Sequence, residues 1–274
     1  MKIANVVLGL SSVVLMLAGV VAYPASATDR ERLRYGNGSS NLLAQDDFPQ
    51  ELYQQDTEAY EAYANGDLKR AETLLRGLIE QEPRFMPAYE HLSIVLASQG
   101  LVDESIALLR QAIAIDSKYL PAYANLVFLL TETGQLAEAI TMQREVVAQL
   151  PDNGTAHAIL GDLLRVQGET SEALEILRRA VSLEPTNSEH HRILANTFDD
   201  RGEFAAAEET YRQAIALSPD DAVLRFDLGL SLERQGRLEE AQQEYQIATE
   251  LDPSFTEAQS ALEEVELLLQ TQPN

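Results

Sequence analysis

The chain has 274 residues, no cysteine, a formal charge of −24 and 45% apolar residues, mostly leucine and alanine with aromatics at only 6%. Without cysteine it has no disulfide, thiolate metal site or cysteine nucleophile. Its acidity repels phosphate backbones and anionic lipid headgroups, so nucleic acid is excluded as a partner.

The chain opens with Lys2 and an apolar run from Ile3 to Val21, followed by Tyr23-Pro24 and the small-residue triplet Ala25-Ser26-Ala27. A positive start, an apolar stretch and a small-x-small exit have the form of a signal peptide over residues 1–27, with cleavage expected after Ala27 and a mature start at Thr28. Export to a periplasm, a lumen-like compartment or the exterior follows. The competing reading is an uncleaved anchor, because a run of roughly 19 apolar residues just spans a bilayer core. Contact with a membrane is then confined to residues 3–21. Residues 28–51 carry Gly36-Asn37-Gly38-Ser39-Ser40 and no apolar period, which predicts a flexible tether.

Beyond residue 51 one spacing governs the sequence. Gly66, Gly100, Gly134, Gly168, Gly202 and Gly236 are each 34 residues apart. Five positions after each comes a small residue, in order Ala71, Ser105, Ala139, Ala173, Ala207 and Ala241. Only such side chains let two helices approach closely. Ahead of the glycines run Leu92, Leu126, Leu160, Leu194 and Leu228, each followed four residues later by Leu96, Leu130, Leu164, Phe198 or Leu232. Apolar residues at helical spacing on both sides of a turn glycine predict two amphipathic helices per period. The second helix is expected to stop at Pro83, Pro151, Pro185, Pro219 or Pro253, since proline lacks the donor and clashes with the preceding turn.

These columns resemble the tetratricopeptide repeat, a 34-residue helix–turn–helix unit. The match divides residues 52–255 into repeats 52–85, 86–119, 120–153, 154–187, 188–221 and 222–255. In the aromatic column that opens the first helix stand Tyr89, Tyr123, His157 and His191, and Gln143 interrupts the leucine column of the second helix. Residues 256–270 place Ala258, Ala261, Leu262, Val265, Leu268 and Leu269 on one stripe opposite glutamates, which predicts a capping helix. The resemblance implies an all-α, right-handed superhelical solenoid of antiparallel helix hairpins, with the first helix of each lining a concave groove.

From that resemblance the groove-facing residues include Tyr53, Tyr60, Tyr63, Ile94 and Phe128 in an aromatic N-terminal zone. Asp162, Arg165, Arg192, Asn196, Asp199 and Glu233 belong to a charged C-terminal zone. Arg192 and Asn196 resemble part of the clamp with which some family members hold a terminal carboxylate, yet Asp227 stands where a further asparagine is needed. The charged side chains have a second reading, as salt bridges between neighbouring repeats such as Arg165 with Asp162 or Glu189.

Chemistry finds little footing. Glu189-His190-His191 resembles a ligand cluster, but successive helical residues diverge by about 100° and do not share a face. The glycines mark turns rather than a phosphate loop, and no serine sits in a nucleophile elbow. The expectation is therefore a non-enzyme without cofactor or metal. It is read as an exported scaffold that binds a protein or peptide, as a segment or helix in the groove. The alternative is a membrane-anchored assembly factor for an envelope or thylakoid complex.

Overall fold

The fold was obtained as a computed structural model, which describes residues 48–271. The expected signal peptide, the apolar run 3–21, Ala27 and the expected tether up to residue 47 lie outside the described residues. Everything described is helix and short turn. The helices are α1 Gln50–Ala64, α2 Leu68–Gln81, α3 Met86–Ser98, α4 Val102–Ile115, α5 Leu120–Glu132, α6 Leu136–Gln149, α7 Gly154–Gln167, α8 Thr170–Leu183, α9 Ser188–Asp200, α10 Phe204–Leu217, α11 Ala222–Arg234, α12 Leu238–Leu251 and α13 Thr256–Thr271. Among the described residues, no helix is long and apolar enough to cross a membrane.

Two compact units emerge, with the division after Met142, inside α6. In the N-terminal unit α1 packs on α2 and α3 on α4, while the first helices α1, α3 and α5 touch in sequence. The C-terminal unit repeats the scheme with α7 on α8, α9 on α10 and α11 on α12, and α13 closes against α12. All-α architecture in sequential hairpins is thus the fold expected from the 34-residue period.

The columns act as packing chemistry requires. All six small residues from Ala71 to Ala241 are fully buried. Each periodic glycine has a positive φ, from 73° at Gly202 to 88° at Gly168. Gly168 ends α7 in the left-handed region, where its N–H donates to the Leu164 and Arg165 carbonyls. Two other glycines are set by space instead. A Cβ on Gly161 would lie 2.4 Å from Leu177 Cγ, and one on Gly229 would lie 2.5 Å from the Tyr245 ring.

Backbone carbonyls before the first helices bind the side chains that open three of them. Tyr89 Oη donates to the Pro83 carbonyl at 3.1 Å, and His191 Nε2 donates to the Pro185 carbonyl at 3.0 Å. His191 is therefore a packing residue, and His157 likewise bonds the Asn153 carbonyl through Nδ1 at 2.9 Å. Gln143, which breaks the leucine column, is buried and donates Nε2 to the Ala156 carbonyl at 2.8 Å. Before α1, Phe48 packs edge-on against Phe85 with ring centroids 5.3 Å apart. In α13, Ala258 and Val265 are buried while Leu267 and Leu268 remain exposed.

Candidate functional site

The side chains expected to serve recognition lie on the first helices. Within the N-terminal unit, equivalent positions form stripes across α1, α3 and α5. Tyr60, Ile94 and Phe128 make one, and Asp56 and Glu90 begin a second; His91 and Asn125 share a third on α3 and α5. Tyr60 and Ile94 are half-buried, whereas Phe128 is buried. Tyr60 stands 6.3 Å from the Tyr63 ring and 6.0 Å from the His91 ring. These residues, with Ala59, Leu75 and Val95, line a shallow apolar dimple that holds about 10 Å³ of solvent-reachable space, room for a methyl-sized contact rather than a small molecule. Tyr53 lies to one side, 38% exposed and edge-on to Phe85 at 5.1 Å.

Polar contacts frame the dimple. His91 Nδ1 is 2.7 Å from Asp56 Oδ1, and Tyr119 Oη donates to Glu90 Oε2 at 2.6 Å. Burial alone pushes the His91 pKa down, but the Asp56 carboxylate beside it more than compensates and leaves it above the ordinary histidine value. Burial and Glu90 together push the Tyr119 phenol far up, so it stays a donor at all relevant pH. Tyr63 Oη reaches Ser98 Oγ at 3.4 Å.

The charged C-terminal zone is a set of ion pairs already complete within its own unit. Asp162 is fully buried and holds Arg165 at 2.9 Å, while Arg165 also reaches Asp200 at 2.9 Å. Arg192 is clamped by Glu189 at 2.6 and 2.7 Å and by Asp227 at 2.9 Å. Asp199 accepts from Ser231 Oγ at 2.6 Å and pairs with Arg234. Asn196 accepts from Tyr211 Oη, and Glu233 Oε2 accepts from Tyr245 Oη at 2.6 Å. Asp227, which spoils the expected carboxylate clamp, takes Arg192 for itself, so Arg192 does not stand ready for a partner's carboxylate. Burial holds the Glu189 and Asp227 carboxyls above the usual range despite Arg192. Of the expected salt bridges Arg165 makes the one with Asp162, while across the repeat it pairs with Asp200 rather than Glu189, whose carboxylate Arg192 takes.

One spacing unites both zones and escaped the reading of single columns. Asp56–His91, Arg165–Asp200, Arg192–Asp227, Asp199–Arg234 and Tyr63–Ser98 are each separated by 35 residues. That offset is one repeat plus one residue, which brings a first helix opposite its successor. The signal was available in the sequence as opposite charges 35 apart. On the second helices the corresponding offset is 28, in Arg76–Glu104, Arg110–Glu138 and Arg144–Glu172.

The three neighbours Glu189, His190 and His191 go to three destinations: Arg192, the Glu184 side of the core, and the Pro185 carbonyl. His190 is fully buried, its Nε2 3.8 Å from Glu184, and burial depresses its pKa. Among the described residues no group of histidines and carboxylates converges as a metal site.

An array of helix hairpins with periodic glycine turns and small crossing residues defines a repeat scaffold. Residues 57–119 and 194–254 match one tetratricopeptide-repeat family model and residues 130–197 match a second, and the chain belongs to that family of non-enzymatic protein–protein interaction scaffolds. No curated protein matches the sequence. Among solved structures the chain is similar to PilW, a widely conserved type IV pilus biogenesis factor, at 18% identity and TM-score 0.65 over 78% of this chain and all of that one. It is also similar to MamA from Desulfovibrio magneticus RS-1, at 17% identity and TM-score 0.54 over 62% of this chain and 97% of that one. YrrB, a repeat protein with an unusual peptide-binding site, aligns at 20% identity and TM-score 0.51 over 68% and 96% of the two chains. At these identities the likeness is one of fold.

Proposed function

We propose that this protein is an exported scaffold that holds a peptide or helix of a partner protein against its first helices. The observation that carries the reading is the half-buried Tyr60–Tyr63–Ile94 face of the N-terminal unit, apolar side chains that repeat packing alone does not require to be there. The existence of a peptide-binding site in YrrB, a protein of the same fold, supports it. Export rests on the Lys2, Ile3–Val21 and Ala25-Ser26-Ala27 pattern.

A photo-crosslinking residue at position 94 is expected to capture a partner in the native host, and one at Ala107, exposed on α4, is not. Capture only from position 107 would sink the first-helix reading. Intact mass of the native protein tests export separately. A start at Thr28 supports cleavage and release, while an uncleaved chain in the membrane fraction replaces the exported form with an anchored assembly factor.

A further inference from the structure

The three first helices of the N-terminal unit carry Glu51, Asp56, Glu58, Glu61, Glu90 and Glu132 and no lysine or arginine. Cations of that unit lie on the second helices and turns, where Arg76 and Arg110 bond Glu104 and Glu138. The first-helix face of the C-terminal unit is different, since Arg165, Arg192 and Arg234 there consume the carboxylates. In the N-terminal unit Arg70 on α2 pairs with Glu58 and His91 with Asp56, while Glu90 has the Tyr119 hydroxyl as its partner. Beside these groups lies an unfilled hydrogen-bonding capacity. Asn125 is 7% exposed, its Nδ2 meets no acceptor, and it occupies on α5 the position that His91 holds on α3. A buried amide donor left without an acceptor is destabilising, and an incoming carbonyl would relieve it.

We propose that this face takes a partner segment in which apolar side chains alternate with lysine or arginine. The proposal deepens the scaffold reading above and rests on it. Apolar side chains lie along Tyr60 and Ile94, a cationic side chain meets Glu90 and the tyrosine rings, and a main-chain carbonyl accepts from the Asn125 amide once that side chain turns outward. Packed helices lie about 8–10 Å apart, a span of about three extended residues, so the apolar side chains recur at about every third position.

The test uses the full chain and fluorescein-labelled peptides about 9 residues long, the length that spans three helices about 10 Å apart at about 3.3 Å per residue. Leucine stands at every third position, with lysine, serine or glutamate between. The lysine peptide is expected to bind about tenfold tighter than the serine peptide, with glutamate weakest, and about 0.5 M salt narrows the gap. Glu90→Gln weakens the lysine peptide about threefold and leaves the serine peptide unchanged. Ile94→Ser weakens all three. Glu80→Gln, on exposed α2, changes none, which separates the site from the net charge of the chain. Equal binding of lysine and glutamate peptides, or equal losses from Glu80→Gln and Glu90→Gln, overturns the charge selection and leaves the scaffold reading standing. If none of the three peptides binds, the first-helix face is not a binding surface and both readings fall.

Discussion

Replacing Arg192 with methionine isolates the electrostatics of the C-terminal unit. The Arg192 side chain is 8% exposed and joins Glu189 and Asp227, whose side chains are 23% and 15% exposed. Removing one member of a buried pair costs about 3–5 kcal/mol because a charge stays behind uncompensated. Partial solvation of Glu189 places the expected loss at the lower end, about 3 kcal/mol at pH 7. Burial already raises the pKa of both carboxyls, and loss of the guanidinium raises them further. A carboxyl whose folded pKa is raised costs stability above that pKa and ceases to do so once protonated. The deficit of Arg192→Met therefore shrinks between pH 7 and pH 5. Urea denaturation followed by circular dichroism gives the magnitude, and amide exchange over residues 143–271 confines it to the C-terminal unit. The triple variant Glu189→Gln, Arg192→Met, Asp227→Leu is expected within about 1 kcal/mol of the parent, since a buried pair replaced whole is nearly neutral. A loss below about 1 kcal/mol for the single variant, or a deficit that grows on acidification, would refute this account of the pair as a buried, desolvated clamp.

Arg144→Gln on the second helices, where the pair with Glu172 is half exposed, is expected to cost less than about 0.5 kcal/mol in the same denaturation assay. Gly161→Ala forces a methyl group against Leu177 and is expected to cost about 1–3 kcal/mol. Combining it with Leu177→Ala makes the losses less than additive, measurable as a coupling energy from thermal melts. The histidines act with opposite sign. The raised His91 pKa gives stability that is full below the unfolded value of about 6.5 and fades as pH climbs through the folded one. The depressed His190 pKa makes the C-terminal unit lose stability as pH falls below about 6.5, because the unfolded chain takes the proton first. Each slope should vanish in its own variant, His91→Gln or His190→Leu, in amide exchange at pH 5, 6 and 8.

Much of the fold was legible because packing repeats. A glycine that must adopt positive φ and a small residue at a helix crossing are local requirements that return every 34 residues as a column, and a proline at a helix end returns in all but the repeat with Ser117. The aromatic column held even where its residue changed, since Tyr89 and His191 both donate to a loop carbonyl of a preceding proline. Gln143 looked like a defect in its column, and it is satisfied by a carbonyl 13 residues on. No rule of helical periodicity announces such a bond.

The site was legible in outline only. Sequence placed Tyr60, Ile94, Arg165 and Arg192 on first helices, because residue number within a repeat determines the face. Whether each charge is available was decided by its neighbour 35 residues away. The acid Asp227 closes Arg192 off, whereas the same positions in the N-terminal unit hold Asp56 with His91 and Glu90 with no cation on the first helices. Periodicity is a property of one helix against its repeat and can be read along the chain. Satisfaction of a buried charge or amide is a property of two helices brought together, and only the tertiary structure decides it.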